Sequence, residues 1–325
     1  MSELLQGASE PPPRGVGAPA KGRRIAHWGV AVLETLAARC PKGLVQGIAT
    51  ALAPLVWLIA RKERLTFFEN VSHIFGLPPH SHFSKMFGHQ VTRHQVHSFL
   101  EVFKGISDGN SLKIEGQEQL DSVVASLLAG GRGLIIATAH LGSWELVGHA
   151  VGRSTRSAGH GTFHVLAKPQ TSDFVTTLLE TLRVKMGTTV LWVDKKSLLK
   201  DMLQVLKDGG ALGFVMDQKP LARRGPLVTF FSQETPFVSG PASLAIRQGS
   251  PLLCVFCLRT GPFSYRLFWE IALRADHNQS DETQVTGILS TEIEKYIRLY
   301  PEQWTWNYRR WRWTEKSGGT PQKSH

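Results

Sequence analysis

The sequence predicts an α/β protein, with a mixed central sheet flanked by helices and an N-terminal apolar membrane helix. Three observations carry that expectation. Short apolar runs such as "GLIIATA", "TTVLWV" and "ALGFVMD" alternate with amphipathic runs of helical length, as in sheets covered on both faces. Gly43 to Ala60, "GLVQGIATALAPLVWLIA", holds no charged residue in 18 positions and is bracketed by Arg39, Lys42, Arg61, Lys62 and Arg64. The chain has 325 residues, 42% of them hydrophobic, which is ample for a sizeable core.

Taken in order, residues 1–24 are rich in Pro, Gly and Ala and read as a flexible tail. Residues 25–78 read as an N-terminal membrane-associated helical region, 79–316 as the α/β domain, and 317–325 as a second flexible tail. The apolar run is at the lower limit for crossing a bilayer, which takes roughly 20 residues, and Gln46 and Pro54 interrupt it. It suits a membrane-inserted helix, an interfacial one, or a buried core helix. A helix is predicted over Phe83 to Phe103, with His94, His97 and Lys104 toward solvent. "SLKIEG" follows as a strand, and "QEQLDSVVASLLAGG" as a helix with Leu120, Val123, Val124, Leu127 and Leu128 on one face. Next come the strand "GLIIATA", the helix "SWELVGHAVG", the strand "FHVLA", and a helix opened by Ser172 and ended by Gly187. "TTVLWV", "SLLKDMLQVLKDGG" and "ALGFVMD" repeat the alternation. The strand "LVTFF", a helix near Ser239 to Arg247, the strands "LLCVFCL" and "SYRLFWEIAL", and a helix over 283–299 complete it.

A net charge of +11 favours an anionic partner: a lipid surface, an acidic carrier protein, a phosphorylated substrate or nucleic acid. The three cysteines are too few for a disulfide framework, and Cys254 and Cys257 sit inside an apolar strand with no second pair to complete a zinc site. H-E-x-x-H, G-x-S-x-G and the P-loop are all missing, which counts against metalloprotease, hydrolase and nucleotide-triphosphate chemistry. No metal or cofactor is expected.

Ligands of such sheets bind beyond the carboxyl ends of the strands. His140 stands there after "LIIATA" and Asp217 after "ALGFVM", so both point to one crevice. In a continuous helix His140 and Glu145 would lie roughly 140° apart. They meet only if Gly142 makes a turn and Ser143 caps a helix that carries Glu145 in its first turn. A carboxylate there can hold one imidazole nitrogen and leave the other to accept a proton from a hydroxyl. The plainer reading is that His140 caps a strand while Glu145 complements a helix dipole.

"AHLGSWE" resembles the His-x-x-x-x-Glu box of the lysophospholipid acyltransferase superfamily, and its surroundings resemble the bacterial lipid A biosynthesis acyltransferases of lauroyl and myristoyl type. The likeness extends through "RKERLTFFENVSHIFGLPP", "LAKPQTSDFVTTLLETLRVKMG", "DGGALGFVMDQKP", "VTFFSQETPFVSGPASLAIRQGSPLLCVF" and "YPEQWTWNYRRWRW", from about residue 25 to 313. It implies a glycerolipid-acyltransferase-like fold. It also implies transfer of a fatty acyl chain from a carrier thioester, on acyl carrier protein or CoA, to a hydroxyl of a lipid A precursor or related glycolipid. The place implied is the cytoplasmic face of the bacterial inner membrane, with no covalent acyl-enzyme.

In that likeness His140 is the general base and Glu145 its orienting partner. Arg183 falls where an anionic substrate group would be held, and Asp217 where site architecture would be fixed. Lys168, in "AKP", replaces an arginine of the pattern, keeping charge but losing bidentate phosphate recognition. Arg223 and Arg224 are placed to bind phosphate or the carrier, or to stand on a solvated loop. Trp304, Trp306, Trp311 and Trp313 with Arg309, Arg310 and Arg312 suit a membrane interface, stacked single-stranded nucleic acid, or packing against the domain. The partners implied are the acyl donor, a lipid acceptor and a membrane surface, with no nucleic acid.

Overall fold

The computed structural model describes residues 20–168, 172–220, 225–275 and 281–311. Four helices open the chain: α1 (Ala20–Arg39), α2 (Lys42–Ile59), α3 (Arg61–Phe75) and α4 (His82–Asp108). The first begins within the stretch expected to be a tail through residue 24. Then follow β1 (Lys113–Glu115), α5 (Gln117–Leu128), β2 (Leu134–Thr138), α6 (Trp144–Ser157), β3 (Phe163–Ala167) and α7 (Asp173–Lys185). β4 (Thr188–Trp192), α8 (Leu198–Lys207), β5 (Ala211–Val215), β6 (Leu227–Phe230), β7 (Gln233–Pro236) and α9 (Gly240–Gln248) continue the chain. It closes with β8 (Leu252–Gly261), β9 (Ser264–Leu273) and α10 (Glu282–Leu299).

Seven strands form one sheet in the order β1-β9-β8-β2-β5-β3-β4. Every pairing is parallel except β8 with β9, so β1 and β9 run against the other five. β2 is central, and all five of its residues are buried. That is what a strand buried on both faces requires, and why it reads as an unbroken apolar run. Its side chains alternate between two cores. Leu134 and Ile136 pack with Leu120, Val124, Leu146 and Val151 from α5 and α6. Ile135 and Ala137 pack with Leu206, Ala245, Leu289 and Ile293 from α8, α9 and α10. β8 divides in the same way, and it sends Cys254 and Cys257 to opposite cores. Residues three apart on a strand cannot face each other, so these thiols are packing groups, and burial pushes both well above the usual thiol range.

The run "LVTFF" does not join the main sheet. β6 and β7 make a separate antiparallel ribbon, turned at Phe231 and Ser232, both with positive φ. The ribbon packs on α10 and on the C-terminal tryptophans.

α2 lies along α4 and buries only Val45, Ala49 and Ala53 among its apolar residues, leaving Leu44, Ile48, Leu52, Leu55, Leu58 and Ile59 exposed. Gly88 of α4 makes the approach possible, because a Cβ there would fall 2.1 Å from the Trp57 ring. The same packing overturns the expected solvent face of α4. His94, His97 and Lys104 are buried, since α1 and α2 cover the side of α4 that periodicity alone left open. Lys104 is satisfied by the Ala37 and Ala38 carbonyls at the end of α1 and by Asp108 at 2.8 Å.

Candidate active site

β2 and β5 run parallel in a register that pairs Thr138 with Val215, and Met216 donates its N–H to the Thr138 carbonyl at 2.9 Å. Two residues past each pair, His140 and Asp217 therefore stand side by side. Asp217 Oδ1 accepts from the His140 backbone N–H at 3.1 Å and from Nδ1 at 2.8 Å, while Oδ2 accepts from the Trp304 indole N–H at 2.8 Å. Asp217 is 3% exposed, so these three donors are what sustain its charge. Burial alone would raise its pKa, but the charge and hydrogen bond of His140, with Trp304, hold the carboxyl below its usual range.

An ionised carboxylate only accepts, so Nδ1 carries the proton and Nε2 presents a lone pair, which the Gln218 amide meets only with a long contact. Nε2 faces the site 3.5 Å from the Gln218 amide nitrogen, and the imidazole keeps 23% of its side-chain surface open. Burial opposes protonation of His140, but the Asp217 charge and hydrogen bond outweigh it, and Glu145 adds to them. The ring pKa is thus raised above 6.5. The Trp144 ring meets the imidazole edge-on at 5.1 Å between centroids.

Asp217→Asn is expected to remove most of what raises that pKa, because an amide has no charge and presents a donor as readily as an acceptor. A histidine NMR titration checks this: the His140 midpoint should lie above 6.5 in the wild type and fall in the variant. The sign for stability follows. The His140–Asp217 contribution is lost as pH rises from about 6.5 through the raised His140 midpoint, and lost again in acid as pH falls through the depressed midpoint of Asp217.

The turn after His140 forms as Gly142 suggests. Gly142 has φ +62°, α6 starts at Trp144, and Glu145 lies in its first turn. Ser143 occupies the cap position without a side-chain capping bond, its N–H going to the Cys257 carbonyl at 2.8 Å. Glu145, however, is not the partner of the imidazole. The structure corrects that expectation: α6 carries the carboxylate toward α7, where Arg183 takes it in a two-pronged pair, Nε to Oε2 at 3.0 Å and Nη2 to Oε1 at 2.6 Å. Arg183 thereby meets a protein carboxylate at the place where an anionic substrate group was expected. Lys168 is exposed just past β3, on the same sheet edge as His140 and Asp217. Arg223 and Arg224 lie outside the described residues, as do Arg312 and Trp313.

Of the three readings of the C-terminal segment, packing against the domain is the one that holds for its described residues, which form part of the site's wall. Trp304, Trp306, Trp311 and Arg310 are all buried. Residues 301–305 bind the turn that follows β2: Gln303 O accepts from Gly142 N at 3.0 Å, and Thr305 donates to the His140 carbonyl through N at 3.0 Å and Oγ1 at 2.9 Å. Arg310 gives Nη1 to Thr235 and Nη2 to the Pro236 carbonyl, over the rings of Phe230 and Phe237. Burial pulls its pKa down to about 10, against the nearby Asp217 charge.

Asn70 of α3 ties the same segment down, giving its amide hydrogens to the Trp306 and Tyr308 carbonyls at 2.6 Å each. Asn70→Ala is expected to cost about 2 kcal/mol through two buried carbonyls left unpaired, measured as a lower denaturant midpoint. No periodicity signals Gln303, Trp304 or Asn70; only the motif segments that contain them pointed there. Among the described residues no three His, Cys, Asp or Glu side chains converge as metal ligands.

A matched base and carboxylate at the carboxyl edge of a mostly parallel sheet is an arrangement that several chemistries share, and comparison with known proteins narrows it. The chain is 27% identical over 194 residues to a phosphatidylinositol mannoside acyltransferase of Mycolicibacterium smegmatis, covering 58% of this chain and 60% of that protein. It is 27% identical over 183 residues to the lipid A biosynthesis palmitoleoyltransferase of Escherichia coli K12, covering 56% of each. The chain thus spans about three-fifths of the length of the curated relatives it matches. The description of bacterial lipid A biosynthesis acyltransferases matches residues 20–313, nearly the whole chain, and this protein belongs to that family.

Proposed function

We propose that the protein is an O-acyltransferase that moves a fatty acyl chain from a carrier thioester to a hydroxyl of a membrane glycolipid, a lipid A precursor or a relative of it. The observation that carries this reading is the His140–Asp217 pair, with Nδ1 committed to the carboxylate and Nε2 open. As the acceptor oxygen attacks the thioester carbonyl, Nε2 takes the hydroxyl proton. The C–O bond forms, the C–S bond then breaks, and the imidazolium returns the proton to the departing sulfur. Asp217 stabilises the charge that His140 carries between those steps. The N-terminal end of α6, which starts at Trp144, lies at the same edge, and its positive dipole end favours the oxyanion of the tetrahedral intermediate.

In this scheme Glu145 works through Arg183. The pair holds the guanidinium at the mouth of the site, with Nη1 left for an anionic group of the donor or acceptor. Lys168 adds a point charge on the same edge, and Arg223 and Arg224, six and seven positions after Asp217 in the sequence, are further candidates for binding phosphate or the carrier. The donor is a thioester of acyl carrier protein or CoA, for which the net charge of +11 is a favourable field.

α2 is the one described helix long and apolar enough to cross a membrane. It packs along α4, which carries Lys85, Arg93, Glu101 and Lys104, so crossing would drag those charges with it. A helix lying in the interface, with Arg61, Lys62 and Arg64 at anionic headgroups, fits better. In this reading the protein works at the cytoplasmic face of a bacterial inner membrane.

The test is incubation of the full chain with labelled acyl carrier thioester or acyl-CoA and, in separate arms, a lipid A precursor and a mannosylated phosphatidylinositol. Label entering one lipid as an ester, located by mass spectrometry, supports the reading and names the acceptor. Hydrolysis alone, or no transfer with either donor, overturns it.

A further inference from the structure

Apart from the His140 site, a cavity of about 290 Å³ lies between α2, α4 and the β8–β9 turn. Gln46, Gln90, Arg93, His94, His97 and Arg259 face it. Gln46 is the polar residue that interrupts the apolar run of α2, and here it has a reason: its amide donates to Glu101 at 2.5 Å and its oxygen meets His97 Nδ1 at 2.9 Å.

The charges around the cavity do not cancel. Glu101 is fully buried, and both of its oxygens are taken, by Arg259 at 2.9 and 2.6 Å, by Gln46, and by the Tyr265 hydroxyl at 3.0 Å. One guanidinium nitrogen of Arg259, Nη1, is not used by that pair. Arg93 adds a second positive charge, exposed at the rim. His94 is 9% exposed and its Nε2 has no hydrogen-bond partner. Burial, with the Arg259 charge behind it, pushes His94 down to about 4, and burial lowers His97 also, so both rings are neutral near pH 7. Two arginines against one carboxylate leave one positive charge, which repels a metal ion and calls for an anion. The donors available are guanidinium N–H groups and, in the tautomer that carries its proton on Nε2, the neutral His94 imidazole, a set that matches tetrahedral oxyanions. An orphaned buried imidazole nitrogen is costly unless something occupies it.

We propose that this cavity binds a phosphate group, monoester or diester, through Arg93, Arg259 and the Nε2–H of His94. Its wall is the helix whose outer face is exposed Leu and Ile, which sets a bilayer lipid's phosphodiester within reach if α2 lies in the interface. The cavity is also tied to the catalytic turn. Gln303 clamps the Arg259 backbone, at 3.0 Å to N and 2.9 Å from O, and receives Gly142 N on its own carbonyl.

The test uses the full chain in detergent, with imidazole ¹⁵N resonances followed by NMR and His94→Gln identifying the His94 signal. Inorganic phosphate is titrated in one arm. In a second arm the protein is placed on phosphatidylcholine vesicles with and without phosphatidylglycerol. The His94 Nε2 resonance should move saturably, and Arg93→Gln should weaken the titration at least about tenfold, as loss of one charged contact does. Lys207→Gln, which removes the same charge from the exposed end of α8, away from both the cavity and α2, should leave it unchanged. A response to phosphatidylglycerol alone assigns a lipid source, a response to inorganic phosphate alone a soluble one, and a response to both the phosphate group as such. An unmoved His94 signal in both arms, or equal weakening by the Arg93 and Lys207 changes, overturns the site. Acyl transfer need not be measured, so this outcome is independent of the assignment of His140.

Discussion

His140→Ala is expected to lower the turnover number for acyl transfer by about 10²–10⁴-fold, the usual contribution of a positioned general base. The fold should survive. The imidazole is partly open to solvent, and the contacts that pin the turn use the His140 backbone, which alanine keeps. Asp217 retains the Trp304 N–H and the backbone N–H but loses the partner that chiefly sustains its charge, which costs about 2–4 kcal/mol. Turnover measured with labelled thioester, beside a thermal unfolding curve, separates the two effects. A folded variant with wild-type turnover would remove His140 as the base. In the wild type the pH profile should rise through a pKa above 6.5, because only the neutral ring accepts a proton and Asp217 holds that pKa up.

Gly142→Ala is expected to do comparable damage by a different route. A Cβ on Gly142 would stand 2.3 Å from the Cys257 carbonyl oxygen, at a φ of +62° that L-residues adopt only at a cost. That carbonyl is the acceptor for Ser143 N, and Gly142 N is held by Gln303 O. The added methyl group therefore cannot be relieved without breaking the link between the turn and β8. The expected loss is about 3 kcal/mol or more of stability. A displacement of His140 by about 1 Å would cost on the order of 10²-fold in rate even in the folded fraction. Denaturant unfolding and turnover per folded molecule measure each part. A variant as stable and active as wild type would mean that the close approach to Cys257 does not hold the turn.

How the site came to be legible differs residue by residue. His140 and Asp217 were identifiable because each follows an unbroken apolar run, and strand ends in such sheets are where ligands bind. Their direct pairing was not, since they are 77 positions apart and become neighbours only through the register of β2 with β5. Glu145 was the natural candidate for the imidazole because it is five residues away. Nearness along the chain misled, since the first turn of α6 points its carboxylate to Arg183, on a helix 38 positions later. For Trp304 residue type leaves a membrane interface, base stacking and packing all open, and its place as a donor to a buried carboxylate needed the last segment to fold back over the sheet edge. The polar face of α4 failed for the same kind of reason. Histidine and lysine at helical spacing look solvated until another helix with matching acceptors covers them.

What the sequence determined by itself was the succession of strands and helices, the two-sided burial of the central strands, and the edge at which chemistry should occur. Those properties are local: periods of two and 3.6, glycine-bearing turns and helix-capping residues act within a few positions. Which carboxylate orients the histidine, which arginine restrains the glutamate, and which polar side chains end up buried were decided by tertiary structure. Each depends on strand register or helix packing between segments far apart in the chain, where a shift of one residue exchanges one face for the other.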